Sequence, residues 1–212
     1  MRYLTWCLLL LGQCALAQNP NDPLLNSSQI SGNPFLFKDW CNGTVHFTSG
    51  RVMNQFKLKF NVFNNQLLLQ FDGNTFAAES KIDEFVMYPK SRLKDSLVFR
   101  RGFPNSDKGT DQTFYQVLFT GKVQLLRLFS RTVVQEHNLV VNEHNKHRSR
   151  MEEAEYYYML RNDSLVFLPG NRTELAALFP KDVAEFINKQ ELKMRNAEDY
   201  MAVVKKYNEV IP

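Results

Sequence analysis

From Phe56 to Phe71, apolar and polar side chains change places at every second position. Phe56, Leu58, Phe60 and Val62 alternate with Lys57, Lys59 and Asn61, and Leu67, Leu69 and Phe71 resume the period after Asn64-Asn65. In an extended strand successive side chains point to opposite faces, so this period gives one apolar and one wet side. On a helix the same residues would scatter around the axis. Asn tolerates the positive φ of a tight reversal, so Asn64-Asn65 predicts a hairpin. An isolated hairpin is too small to bury its apolar face. The chain must therefore supply more strands, or a layer to cover these two.

It supplies both. Asn42-Gly43, Ser49-Gly50 and Asp72-Gly73-Asn74 are turn signals, and residues 44–48, 75–78, 84–88 and 97–100 read as further strands. Beyond a polar loop at 104–112, residues 114–119 and 122–129 read as strands around Thr120-Gly121. Residues 156–160 and 165–168 pair around Asn162-Asp163. The chain holds 17 Phe, and aromatics suit a pleated surface. The segment 135–152 is the most polar of the middle and reads as a long exposed loop or a frayed hairpin.

After Pro169-Gly170 the period becomes helical. Asn171 is placed to cap a helix, with Glu174 three residues on, and Leu175, Leu178 and Phe179 line its face. Pro180 closes that turn and opens the next, where Val183, Phe186 and Ile187 form the stripe. Asn196 and Asp199 repeat the cap spacing ahead of Tyr200, Val203, Val204 and Tyr207. Helices this short are marginal alone, so they must dock. The fold expected is a β-rich α+β class: an antiparallel β meander or sheet at 35–168, with a short C-terminal helical segment at 169–212 packed on it.

Residues 1–17 read as a signal peptide. Met1-Arg2 is basic, residues 4–11 are apolar, and Ala15-Leu16-Ala17 is a small-x-small cleavage site before Gln18. The apolar run falls short of the ~20 residues that span a bilayer, so no transmembrane span is expected in the mature chain. A lipoprotein signal ending at Cys14 competes, but the bulky Gln13 does not suit it. Residues 18–34, rich in Asn, Pro and Ser, read as a flexible linker, with order beginning near Pro34-Phe35. Cleavage removes Cys7 and Cys14. Cys41 then stands without an intramolecular partner and reads as a packing thiol rather than a nucleophile or an intermolecular bridge. The net charge is +4, and basic residues are interspersed with acidic ones, so no nucleic-acid partner is expected.

The run Gly32-Asn33-Pro34-Phe35, then Asp39-Trp40, Gly43-Thr44-Val45, Ser49-Gly50 and Leu58 to Leu67, resembles a family of small exported proteins of Bacteroidetes-type bacteria. The likeness extends to Glu174 through Pro180, Phe186-Ile187-Asn188-Lys189 and a closing Tyr207-Asn208, and departs at 103–112 and 135–152. It implies an exported compartment and this fold class, and carries no reaction.

Possible chemistry is sparse. His137, His144 and His147, with Glu136 and Glu143, could ligate zinc or copper, but their spacing fits neither a helical pair nor a Cys/His finger. No Gly-x-Ser-x-Gly elbow and no Gly-rich phosphate loop occur. Asp83-Glu84 and Glu152-Glu153 are adjacent, so on strands each pair points apart. Tyr156-Tyr157-Tyr158 could offer an aromatic to a ligand or simply pack the sheet. Asp95-Ser96-Leu97 and Asp163-Ser164-Leu165 resemble an O-glycosylation signal, and Asn26, Asn42, Asn162 and Asn171 head Asn-x-Ser/Thr triplets that matter in a eukaryotic host.

No catalytic, cofactor-binding or metal-ligating residue is assigned, and no cofactor is expected. The function expected is an exported, non-catalytic binding or scaffolding protein of the bacterial cell envelope, in the periplasm or at the cell surface. Its partner would be an envelope protein or a small ligand. The alternatives are a metal-assisted hydrolase using the 137–147 histidine loop, and a structural subunit of an envelope complex.

Overall fold

The structure, a computed structural model, describes residues 30–78, 81–90, 96–135 and 149–211. These form a single sheet of eleven strands followed by three helices. The strands are β1 (Ile30–Ser31), β2 (Cys41–Phe47), β3 (Val52–Asn61), β4 (Gln66–Phe71), β5 (Asn74–Ala77), β6 (Ile82–Tyr88), β7 (Leu97–Arg100), β8 (Tyr115–Phe119), β9 (Gln124–Gln135), β10 (Ser149–Arg161) and β11 (Ser164–Leu168). The helices are α1 (Arg172–Ala176), α2 (Lys181–Lys189) and α3 (Ala197–Val210).

Two meanders make the sheet. β2 to β5 run outward from one side of β2, and β6 to β10 run outward from its other side, with β11 and β1 both on β10. Every pairing is antiparallel except the two-residue β1–β10 contact. The turns follow their residue types: Asn65 has φ 56°, Asp72-Gly73 φ 47° and 77°, and Asn162-Asp163 φ 47° and 53°. Gly43 lies where β2 crosses β3 and β6, and a Cβ there would stand 2.5 Å from the Val86 carbonyl oxygen and also meet the Leu58 side chain. Only glycine lets the strands approach so closely.

Directly paired residues share a sheet face. The row Val45, Phe85, Phe99, Gln116, Arg127, Tyr157 therefore lies on one inner face across β2, β6, β7, β8, β9 and β10. At its β2–β7 end this face carries an aromatic core, with Phe85 and Phe99 stacked at 4.8 Å and Phe60 and Phe114 edge-on or tilted against them. At its β9–β10 end it lies under the helices: Leu125, Tyr157 and Met159 meet Leu175, Val183, Ile187, Tyr200, Val203 and Val204. The outer face of β8–β10 is also covered, with Phe103 sealing Tyr115, Leu126, Leu128 and Tyr158. Strands buried on both faces lose their alternation, which is why Leu125-Leu126 and Tyr157-Tyr158-Met159 are all buried.

Several boundaries differ from the sequence expectations. Order begins earlier than Pro34, because Ile30–Ser31 already pairs with β10. Of the two readings of the polar stretch 135–152, the described ends follow the hairpin: β9 runs on to Gln135, β10 starts at Ser149, and these two residues pair. Opposed charges on paired strands sustain this polar ladder, with Arg131 directly across from Glu153. The helices keep their expected caps. The Asn171 side chain accepts from the N–H groups of Thr173 and Glu174, and that of Asn196 from Asp199. No helix among the described residues is long and apolar enough to cross a membrane. The proposed leader, most of the proposed linker, the histidine segment 137–147 and Asp95 lie outside the described residues.

One feature shapes the whole sheet. After leaving β10, the chain from Ser31 runs to Pro34, whose carbonyl accepts from Val62, and to Leu36, whose N–H donates to Phe60. β10 and β3 are six steps apart in strand order, about 29 Å if the sheet were flat. Three extended residues plus a pairing distance at each end cover only about 20 Å. The sheet must therefore curl, and residues 32–37 form a strap across the mouth of its concave face.

Candidate functional site

Beneath the strap is a cavity of about 200 Å³. Leu36 and Phe37 of the strap, Val62, Leu97 and Phe129 give it apolar walls, and Arg127, Arg131, Glu153 and Glu155 give it charge. Period two explains the charged group. Arg127, Phe129 and Arg131 are alternate residues of β9 on the inner face, and Tyr157, Glu155 and Glu153 stand opposite them on β10.

Each arginine is held at fixed points. Arg127 donates from Nε and Nη2 to Gln116 Oε1 at 3.0 and 2.6 Å, and from Nη1 to Glu155 at 3.1 Å. Its guanidinium also lies 4.3 Å from the Phe129 ring centroid, a cation–π distance. Tyr157 donates to Glu155 Oε2 at 2.6 Å, so this carboxylate is anchored from two sides. Arg131 donates from Nη1 to the Phe35 carbonyl of the strap at 2.7 Å, and from Nε and Nη2 to Glu153 Oε1 at 3.2 and 2.5 Å.

The two partners of each pair are unequally wet. The side chains of Arg127 and Arg131 are 11% and 8% exposed, whereas those of Glu155 and Glu153 are 42% and 73% exposed. Taking a guanidinium out of water costs several kcal/mol unless its partners replace the solvent. The site therefore presents buried, rigid cations, one of them matched by an anion standing at the solvent rim. Among the described residues its lining includes Ser130 but neither His nor Cys. It offers recognition groups (guanidinium, carboxylate, aryl ring and apolar wall) and no paired nucleophile and base.

The residues singled out in the sequence fall mostly elsewhere. Of the tyrosine run, Tyr157 stacks on Tyr200 at 4.0 Å and Tyr158 packs edge-on to Tyr115, so both serve the cores; Tyr157 reaches the site only through its hydroxyl. Cys41 is free and buried, and burial, with Asp39 nearby, pushes its thiol pKa up, as suits packing. Glu84 pairs with Arg100 and lies 3.6 Å from His46, away from the cavity. Asp163-Ser164-Leu165 sits at the β10–β11 turn. Among the described residues, no group of three His, Cys, Asp or Glu could hold a metal.

Sequence reasoning missed the Arg127–Arg131–Glu153–Glu155 group. Its trace was present, as like charges at even spacings on two strands. Only the register puts Arg131 across from Glu153 and Arg127 diagonal to Glu155, and only the curl gathers them around one cavity. Comparison with family models, with curated proteins and with solved structures returned no match.

Proposed function

We propose that this chain is an exported, non-catalytic binding protein of the bacterial cell envelope, and that the strap-covered cavity is its ligand site. The observation that carries the reading is the placement of two largely covered arginine side chains in the wall of a cavity that also has apolar sides. A purely structural ion pair needs no adjoining space, and a well-packed core fills it. A small concave site with apolar walls and a few fixed polar groups is the usual form of a ligand pocket. The leader pattern at 1–17 and the resemblance to small exported proteins of Bacteroidetes-type bacteria support the compartment. The lining chemistry, rich in recognition groups, supports binding over turnover.

The test is a thermal-shift screen of small amphipathic compounds against the chain from Gln18 onward, run beside Leu36→Trp, which fills the cavity from the strap. Ligands of the site should raise the midpoint of the parent and leave Leu36→Trp unmoved. A screen in which every stabilising compound acts equally on both proteins would refute the cavity as the site.

A further inference from the structure

Arg131 and Glu153 are an ion pair with a division of labour. The guanidinium is buried and fixed by the Phe35 carbonyl, while its carboxylate partner is 73% exposed at the rim. Glu153 itself has water to rotate into, so its own carboxylate loses little solvation by leaving. Arg131 cannot follow it, and a buried guanidinium left without an anion is strongly unfavourable. Whatever displaces Glu153 must bring its own negative charge. Glu155 is not equivalent: Arg127 and Tyr157 both hold it, so that end of the cavity keeps its anion.

We propose, building on the cavity as a binding site, that its ligand is a small organic carboxylate with an apolar body, which takes the place of Glu153 on Arg131. The carboxylate accepts from Nε and Nη2 of Arg131, the two donors that now converge on Glu153 Oε1. The apolar body lies against Phe37, Val62, Leu97 and Phe129. A cavity of about 200 Å³ takes a small molecule, and a five-carbon monocarboxylate serves as the probe. Glu153 then acts as a built-in competitor that keeps Arg131 neutralised while the site is empty.

This gives a test in which one variant gains affinity. Valerate is titrated by calorimetry into the chain from Gln18 onward, with pentylamine and pentanol as equal-length controls. Valerate should bind, and neither control should match it. Glu153→Gln removes the competing carboxylate and should tighten valerate by about ten-fold or more, because Arg131 then has no anion until the ligand supplies one. Arg131→Gln should weaken it by about ten-fold or more, the value of a charged hydrogen-bond pair. Should Arg131→Gln fail to fold, Glu153→Gln still decides, because a merely structural pair gives no gain on its loss. Valerate binding that is unchanged or weaker in Glu153→Gln overturns the proposal. So does pentylamine or pentanol binding in place of valerate, and if Leu36→Trp abolishes that binding the cavity reading itself stands. Failure of all three probes overturns the carboxylate assignment and leaves the cavity reading to the wider screen.

Discussion

Tyr157 and Tyr158 are neighbours in β10 and belong to different cores. Tyr157 points under the helices, stacked on Tyr200, and its hydroxyl meets Glu155; Tyr158 points under the 101–114 loop, and its hydroxyl donates to Asp107 at 2.7 Å. Burial raises the phenol pKa of both well above the ordinary value of 10.0, and the carboxylates they donate to raise it further. Burial raises those of Tyr115 and Tyr200 as well. The folded state thus holds these phenols protonated more strongly than the unfolded chain does. Their contribution is fully present below the unfolded value near 10 and is lost as pH climbs through and beyond it. An alkaline titration followed by tyrosinate absorbance should show Tyr115, Tyr157, Tyr158 and Tyr200 still protonated in the folded chain beyond the ordinary value of 10.0. These four should ionise only together with loss of the circular-dichroism signal. Independent ionisation of all four in the folded state would contradict the burial. The sequence could suggest that this aromatic run packs, but it could not say that both faces of the strand would be covered.

Elements were the most legible level. The hairpin β3–β4, the turns at Asn65 and Asn162-Asp163, and the caps at Asn171 and Asn196 follow from residues within a few positions of one another. Local steric and hydrogen-bonding preferences decide them. The Asn196 cap shows how directly: its side chain accepts from the Asp199 N–H at 2.9 Å, and Asp199 in turn accepts from Arg195. Asn196→Ala should lower stability by about 1 kcal/mol, and Asn196→Asp should restore most of it, measured by urea unfolding. An unchanged midpoint for Asn196→Ala would show that packing of Tyr200, Val203, Val204 and Tyr207 alone holds α3. Strand ends were less legible, because pairing with a neighbour extends β9 and β10 into residues whose own composition reads as loop.

At the scale of the molecule the strap decides the shape. It ties β10 to β3 and so holds the curl that makes the cavity. Gly32 lets it turn, with φ 135° and with Met151 Cβ 2.7 Å from where a side chain would begin. Gly32→Ala should cost about 1–3 kcal/mol through strain and overpacking. It should also speed amide exchange at Leu36 and Val62, whose N–H groups bond across the strap, more than at the α3 amides. Equal acceleration at both would mean that the strap has no stability of its own. The sequence by itself determined the period of the side chains, and through it the strands, turns, caps and the β-rich α+β class, because those depend on contacts between near neighbours. Only the tertiary structure decided which strands pair, that the sheet curls, and that Arg127, Arg131, Glu153 and Glu155 face one cavity. Those outcomes depend on register and on closure between residues as far apart as Pro34 and Val62 or Arg131 and Phe35, where no local preference speaks.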